Sequence, residues 1–202
     1  RPQGAAAVRI IAGRWRGLRL AAVGKGDAGA HLRPTPDRVR ESLFSMLTHR
    51  DLIEGARVLD LFAGTGALGL EALSRGAAEV VLVEQGRVGQ RLIAENIAKL
   101  GTDAAALIRG DATRLGACPG APFDLVFLDP PYGRGMGTAA LLAARDWVRP
   151  GAAVVWEEEA FQDPPGGYAP LDQRRFGGVH VTVLERTGES AHSLGLHLQR
   201  DQ

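Results

Sequence analysis

Short apolar runs recur along the chain, and each ends at a glycine, a proline or an acid. Val58-Leu59-Asp60-Leu61-Phe62, Val80-Val81-Leu82-Val83, Ala104 to Ile108, Phe123 to Leu128 and Ala152 to Trp156 are continuous and rich in strand formers. That is the pattern of strands covered on both faces of a parallel sheet. Helical spacing fills the gaps. A helix follows the glycines after Phe62 and ends near Arg75-Gly76. Val88, Leu92, Ile93, Ile97 and Leu100 form the inner face of another, which stops at Gly101, and a third is expected near 138–148, followed by Arg149-Pro150-Gly151 as a turn. Strand and helix in alternation predict an α/β fold. The loop Asp163 to Gly167 is too short for a crossover helix, and Tyr168 to Arg175 and Val179 to Glu185 alternate apolar with polar, as an antiparallel edge pair does. The expected core is a seven-stranded, mostly parallel sheet with an antiparallel last strand.

Ahead of this body, Val8 to Leu20 reads as a basic β-hairpin interrupted by Gly13, and 24–29 as a loop. Thr35 is positioned to cap a helix over roughly 36–50, with Pro36 at its first position and Val39, Leu43, Met46 and Leu47 inward. The chain therefore divides into an N-terminal extension (8–50), a body (51–187) and a patternless segment (188–202) expected to be a disordered tail or an added remnant. Residues 1–7 are also expected to be disordered.

Charge sharpens this division. Residues 1–50 carry a net +7 and the remaining 152 residues a net −6, which suggests a basic arm meeting a polyanion, attached to a neutral or acidic body. In the arm, Arg9, Arg14, Arg16 and Arg19 are candidates for phosphate contact and Trp15 for stacking on a base; equally, Trp15 can anchor the hairpin to the body. Arg33 and Arg38 are further RNA candidates, or ion-pair partners for nearby acids. One cysteine, Cys118, excludes an intramolecular disulfide, and the five histidines show no metal-ligand spacing, so no metal is expected. No apolar run approaches bilayer length, so a cytoplasmic protein without membrane contact is expected.

The chemistry gathers at strand ends. Gly64, Gly66 and Gly69 spell G-x-G-x-x-G after the first strand, and Glu84 stands 20 residues after Gly64 at the end of the second. The spacing marks a nucleoside-binding crevice, with the acid placed for ribose hydroxyls. Asp60, just ahead of the glycine turn, would repel a pyrophosphate but suits an ammonium group; alternatively it caps the turn or helix. Asp111 ends the third strand, placed either for an adenine amino group or to cap its own turn. The fourth strand stops at Asp129-Pro130-Pro131-Tyr132. Two prolines remove two N–H donors, so a carboxylate, an accept-only carbonyl and an aromatic face suit a flat molecule bearing an amino group. Glu157, Glu158 and Glu159 read as solvated surface.

These residues carry a resemblance. Val58 to Gly66, Glu84, Asp111 and Asp129-Pro130-Pro131-Tyr132 are similar to the Rossmann-like class I S-adenosylmethionine-dependent methyltransferases. With Arg9 to Gly17 and Leu32 to Glu41 ahead of them, the chain resembles, over about 8–186, the RsmD-type bacterial enzymes that methylate the 2-amino group of a guanine in 16S rRNA. The resemblance implies S-adenosylmethionine as cofactor, held by Asp60, Phe62, Ala63, Gly64, Thr65, Gly66, Glu84, Gln85, Asp111, Ala112 and Asp129. It implies catalytic roles for Asp129, Pro130, Pro131 and Tyr132, and 16S rRNA of the small subunit or an assembly intermediate as partner of a monomer. The other readings are an adenine-amino methyltransferase acting on DNA or RNA, an NAD-linked oxidoreductase and a non-catalytic RNA-binding assembly factor.

Overall fold

The computed structural model describes residues 8–24, 32 and 35–188. The expectations for 1–7, for most of the 24–29 loop, for Arg33 and for the tail from 189 lie outside those residues. Among them, seven strands form one sheet in the order β3-β2-β1-β4-β5-β7-β6. The strands are β1 (Arg57–Leu61), β2 (Glu79–Glu84), β3 (Ala105–Arg109), β4 (Phe123–Leu128), β5 (Val148–Glu158), β6 (Tyr168–Phe176) and β7 (Val179–Arg186). The first five pair in parallel, and β7 runs antiparallel between β5 and β6. The helices are α1 (Asp37–His49), α2 (Ala67–Ser74), α3 (Arg87–Leu100) and α4 (Met136–Ala143).

Strand alternation distributes the core over both faces. Val58, Leu82, Phe127 and Val155 point one way and pack with Leu43, Phe44 and Leu47 of α1, Leu70 of α2 and Ile93 of α3. Leu61, Leu128, Val154 and Trp156 point the other way, against Ala140 and Leu141 of α4 and Trp147. In register, Leu61 pairs with Leu128 and Leu128 with Trp156, so the strands reach their carboxyl ends side by side.

Several boundaries differ from expectation. Helix α1 starts at Asp37, with Pro36 extended (φ −55°, ψ 146°) as its N-cap and no side-chain cap; the Thr35 hydroxyl bonds Glu157 instead. α4 stops at Ala143, a 3-10 turn covers Arg145–Trp147, and Arg149 to Gly151, expected as a turn, belong to β5. Strand β5 absorbs them through a register shift against β4 between Phe123 and Leu125. β3 lies one residue later than expected.

The N-terminal hairpin is reduced to one bridge, Arg9 with Arg19, because the chain turns through 12–17 before longer strands can pair. What fixes it is α2. Glu71, fully buried, accepts the amides of Ile11 (2.9 Å) and Ala12 (3.1 Å). Ser74 bonds Ala12 O, Arg14 N and Trp15 N through its hydroxyl and carbonyl. Gly13 (φ +85°) passes so close that a Cβ would stand 1.8 Å from Ser74 O, which demands glycine. Buried Arg40 of α1 completes the joint, 3.8 Å from Glu71 and donating to Arg9 O and Asp37. Glu71→Ala strips two amides and the Arg75 guanidinium of their acceptor and buried Arg40 of its ion-pair partner. The expected loss is about 3–5 kcal/mol, read from urea unfolding; a loss below about 1 kcal/mol would show the joint to be dispensable.

Candidate active site

The glycine turn is held by a carboxylate from the neighbouring strand. Phe62 leaves β1 with φ +58°, and Gly64 (φ +59°) and Gly66 (φ +82°) carry the chain into α2. Glu84 at the end of β2 accepts Gly64 N through Oε2 and Gly86 N through Oε1, both at 2.7 Å. One side chain thereby joins the turn to the head of α3. Gly89 allows the contact, since a Cβ there would lie 2.8 Å from Gly64 O.

Beside this joint is a pocket of about 230 Å³ lined by Phe62, Glu84, Gln85, Ala112, Pro131 and Met136, among others. The structure thus brings together Phe62, Glu84, Gln85, Ala112 and Pro131, all read from sequence, with Ala63, Gly64, Thr65 and Gly66 forming the adjoining turn. Asp111 flanks the pocket rather than lining it. Its Oδ1 accepts both the amide (2.8 Å) and the hydroxyl (2.7 Å) of Thr113, which hold its carboxyl below the usual range. Capping its own turn is thus the role the geometry gives that oxygen. Met136 had no signal in the sequence. It lines the pocket because the loop after β4 carries the first turn of α4 back over the sheet end.

Asp60 is buried beneath the turn, and its Oδ2 accepts Gly69 N at 2.9 Å, so it does cap α2. Burial raises its pKa well above the ordinary value, Gly69 opposes this, and the neighbouring charges of Asp129 and Glu84 raise it further. Asp129, at the end of β4, makes no hydrogen bond among the described residues; burial, then Glu157 and Glu158, push its pKa well up. Pro130 is buried behind it, while Tyr132 stands at the surface, 39% exposed.

The acidic run after β5 is not solvated. Glu157 and Glu158 are 2% and 4% exposed, and only Glu159 lies outside. The reason is pairing: β5 runs two residues further than Trp156, with Glu157 opposite Val181 and Glu158 opposite His180. Glu158 accepts the amides of Glu159 and Gly133, so it ties down the loop after Tyr132. Burial and the charge of Asp60 push Glu157 up to about 7, against the Thr35 hydroxyl. Among the described residues, no cationic side chain offsets Asp60, Asp129 or Glu157.

The family described as "Conserved hypothetical protein 95" matches residues 8–185. The chain belongs to that family. Among its relatives, the Escherichia coli protein named Ribosomal RNA small subunit methyltransferase D is 41% identical over 158 residues, 77% of each chain. A solved Escherichia coli structure described as the putative methyltransferase yhhF superimposes with a TM-score of 0.77 at 36% identity, covering 91% of this chain and 99% of that one. An RNA methyltransferase from Salinibacter ruber, solved with S-adenosyl-L-homocysteine, shares the fold at a TM-score of 0.62 and 21% identity, covering 80% of this chain and 99% of that one. The fold of this family member is the Rossmann-like class I methyltransferase fold, with the antiparallel β7 at the expected place.

The raised acids set a pH dependence. Between the ordinary value of 4.5 and about 7, Glu157 keeps a proton in the folded protein that the unfolded chain releases. Stability therefore falls as pH rises through that window and levels off above it. Asp60, Asp129 and Glu158 act with the same sign, whereas the lowered acids Asp37, Asp111, Asp124 and Asp172 change stability in the opposite sense below 3.8. The urea midpoint should decline from pH 4.5 to 7, and Glu157→Gln should make the decline shallower. An unchanged slope would contradict the raised pKa of Glu157.

Proposed function

We propose that this protein transfers a methyl group from S-adenosylmethionine to the exocyclic 2-amino group of a guanine in 16S rRNA, within the small ribosomal subunit or an assembly intermediate. The observation that carries the reading is Asp129: a half-buried carboxylate at a strand end with no hydrogen-bond partner among the described residues, followed by two residues without N–H donors. The relatives named as small-subunit rRNA methyltransferases support the reaction class.

The residues fit the cofactor by charge. Buried acids without cations suit a ligand carrying ammonium and sulfonium groups, and a dinucleotide pyrophosphate would meet Asp60 unfavourably. Asp60 and the turn carbonyls would hold the ammonium end and Glu84 the ribose, using the lone pairs its two amide bonds leave. Phe62, Gln85, Ala112 and Met136 would enclose the adenine. When bound, the cofactor supplies a methyl group already activated on sulfur.

The protein's own work is then orientation and electrostatics. The guanine amine is a weak nucleophile, its lone pair being delocalised into the ring. Accepting its hydrogens at the Asp129 carboxylate and the Pro130 carbonyl turns the lone pair out of the ring. The same acceptors stabilise positive charge as it builds on nitrogen. Tyr132, exposed at the mouth, offers a stacking face to a base flipped out of its helix. Once methylated, the nitrogen is acidic enough to lose its proton to Asp129 or to water.

The basic extension supplies the RNA surface. Arg14, Arg16, Arg19 and Arg38 are exposed, and Arg9, exposed but paired with Asp37, joins Arg16, Thr48, His49 and Arg75 around a cleft of about 810 Å³. The hairpin tip sits at the C-terminal end of α2, about 12 Å along that helix from the glycine turn, so RNA is gripped well away from the reacting base. Trp15 serves as the anchor: it is half-buried against the core with the Arg14 guanidinium 4.6 Å from its ring centre.

Incubation with labelled S-adenosylmethionine and unmethylated small subunits should place label in N2-methylguanosine. Label in methyladenosine, or in DNA instead of rRNA, would favour the adenine-directed reading. Asp129→Ala should lower transfer by about 10²–10³-fold at saturating S-adenosylmethionine; retained transfer would remove Asp129 from the chemistry.

A further inference from the structure

The proposed reaction uses Asp129 but leaves a second buried carboxylate beside it without a task. Glu157 is 2% exposed, and its Oε1 has no hydrogen-bond partner among the described residues. The Thr35 hydroxyl bonds the same carboxyl group, and among the described residues no cation offsets its charge. Sheet register explains where it stands. Leu128 of β4 pairs with Trp156 of β5, so the next residues, Asp129 and Glu157, lie side by side on the same face, about 4.8 Å apart at the backbone. Because β4 separates β5 from β1 and its glycine turn, Glu157 flanks Asp129 on the side away from the cofactor turn.

Resting on the reading of Asp129 as the group that receives the target amine, we propose that Glu157 reads the base: its free Oε1 accepts the N1–H of the target guanine. The Watson–Crick edge of guanine presents N1–H and the 2-amino hydrogens as adjacent donors, which two neighbouring carboxylates and a proline carbonyl can all accept. Adenine beside its amino group offers an N1 lone pair, and above about pH 7, where Glu157 is ionised, that lone pair would face a buried oxygen with no hydrogen between them. Acceptor against acceptor leaves both groups unpaired, the situation in which polar sites discriminate most strongly. Asp-Pro-Pro-Tyr grips any aromatic amine; Glu157 adds the choice of guanine.

The test keeps the 2-amino group and changes only N1. Small subunits are reconstituted with 16S rRNA carrying 2-aminopurine, whose N1 is an acceptor, at the nucleotide that takes the label, and are compared with the guanine form. Assayed above about pH 7, where Glu157 carries no proton, the wild-type protein should favour guanine by about 10- to 100-fold in kcat/KM. Glu157→Gln, whose amide can donate to an N1 acceptor, should bring that ratio to within about threefold at saturating S-adenosylmethionine. Equal use of the two bases by the wild-type protein would overturn the proposal without any variant, as would a Glu157→Gln protein that keeps the wild-type ratio. No transfer even to guanine would overturn the underlying reading and this one with it. Transfer to guanine with an unchanged ratio would overturn this one alone.

Discussion

Three carboxylates, Asp60, Asp129 and Glu157, share one low-dielectric region at the ends of β1, β4 and β5, and among the described residues none has a cation to offset it. Burying ionised groups without partners is costly, so each takes up a proton more readily than in water. The arrangement becomes favourable when a positively charged ligand enters and hydrogen-bond donors face the acids. A methyl donor with ammonium and sulfonium groups meets the first condition, and an aromatic amine meets the second. The same charge distribution opposes a phosphate-bearing dinucleotide, despite the literal G-x-G-x-x-G.

The acids of this protein divide by what already occupies them. Glu71 holds two amides of the N-terminal segment, Glu84 joins Gly64 to Gly86, Asp60 caps α2 through Gly69, and Asp111 closes its own turn through Thr113. These bonds build the frame: Glu84 shapes the turn, and Glu71 with Arg40 sets the basic hairpin against the far end of α2. Asp129 has no such duty, and Glu157 has one oxygen spare. Groups left without structural partners in an otherwise satisfied interior are where chemistry or recognition is expected.

Much of this was legible in the chain because the signals are local. The runs at 58–62, 80–83 and 123–128, the glycines of the turn, Glu84 twenty residues on, and the spacing of α3 each lie within one element and its flanks. What was not legible depends on pairing between distant segments. Glu157 and Glu158 look solvated until β7 is placed beside β5, and Arg149 to Gly151 look like a turn until β5 is drawn along β4 past a bulge. Thr35 has the residue type of a helix cap, but its hydroxyl finds Glu157, more than a hundred residues away. Asp111 and Trp15 each admitted two local readings; tertiary context shows Oδ1 of Asp111 bonded within its turn and half-buried Trp15 packed against the core.

A carboxylate-rich crevice of this kind accepts a cationic nucleoside ligand and rejects a phosphorylated one. Calorimetric titration of the wild-type protein with S-adenosylmethionine and, under identical conditions, with NAD tests that directly. The account predicts a single saturable site for S-adenosylmethionine and no saturable binding of NAD. Saturable NAD binding together with none for S-adenosylmethionine would contradict it.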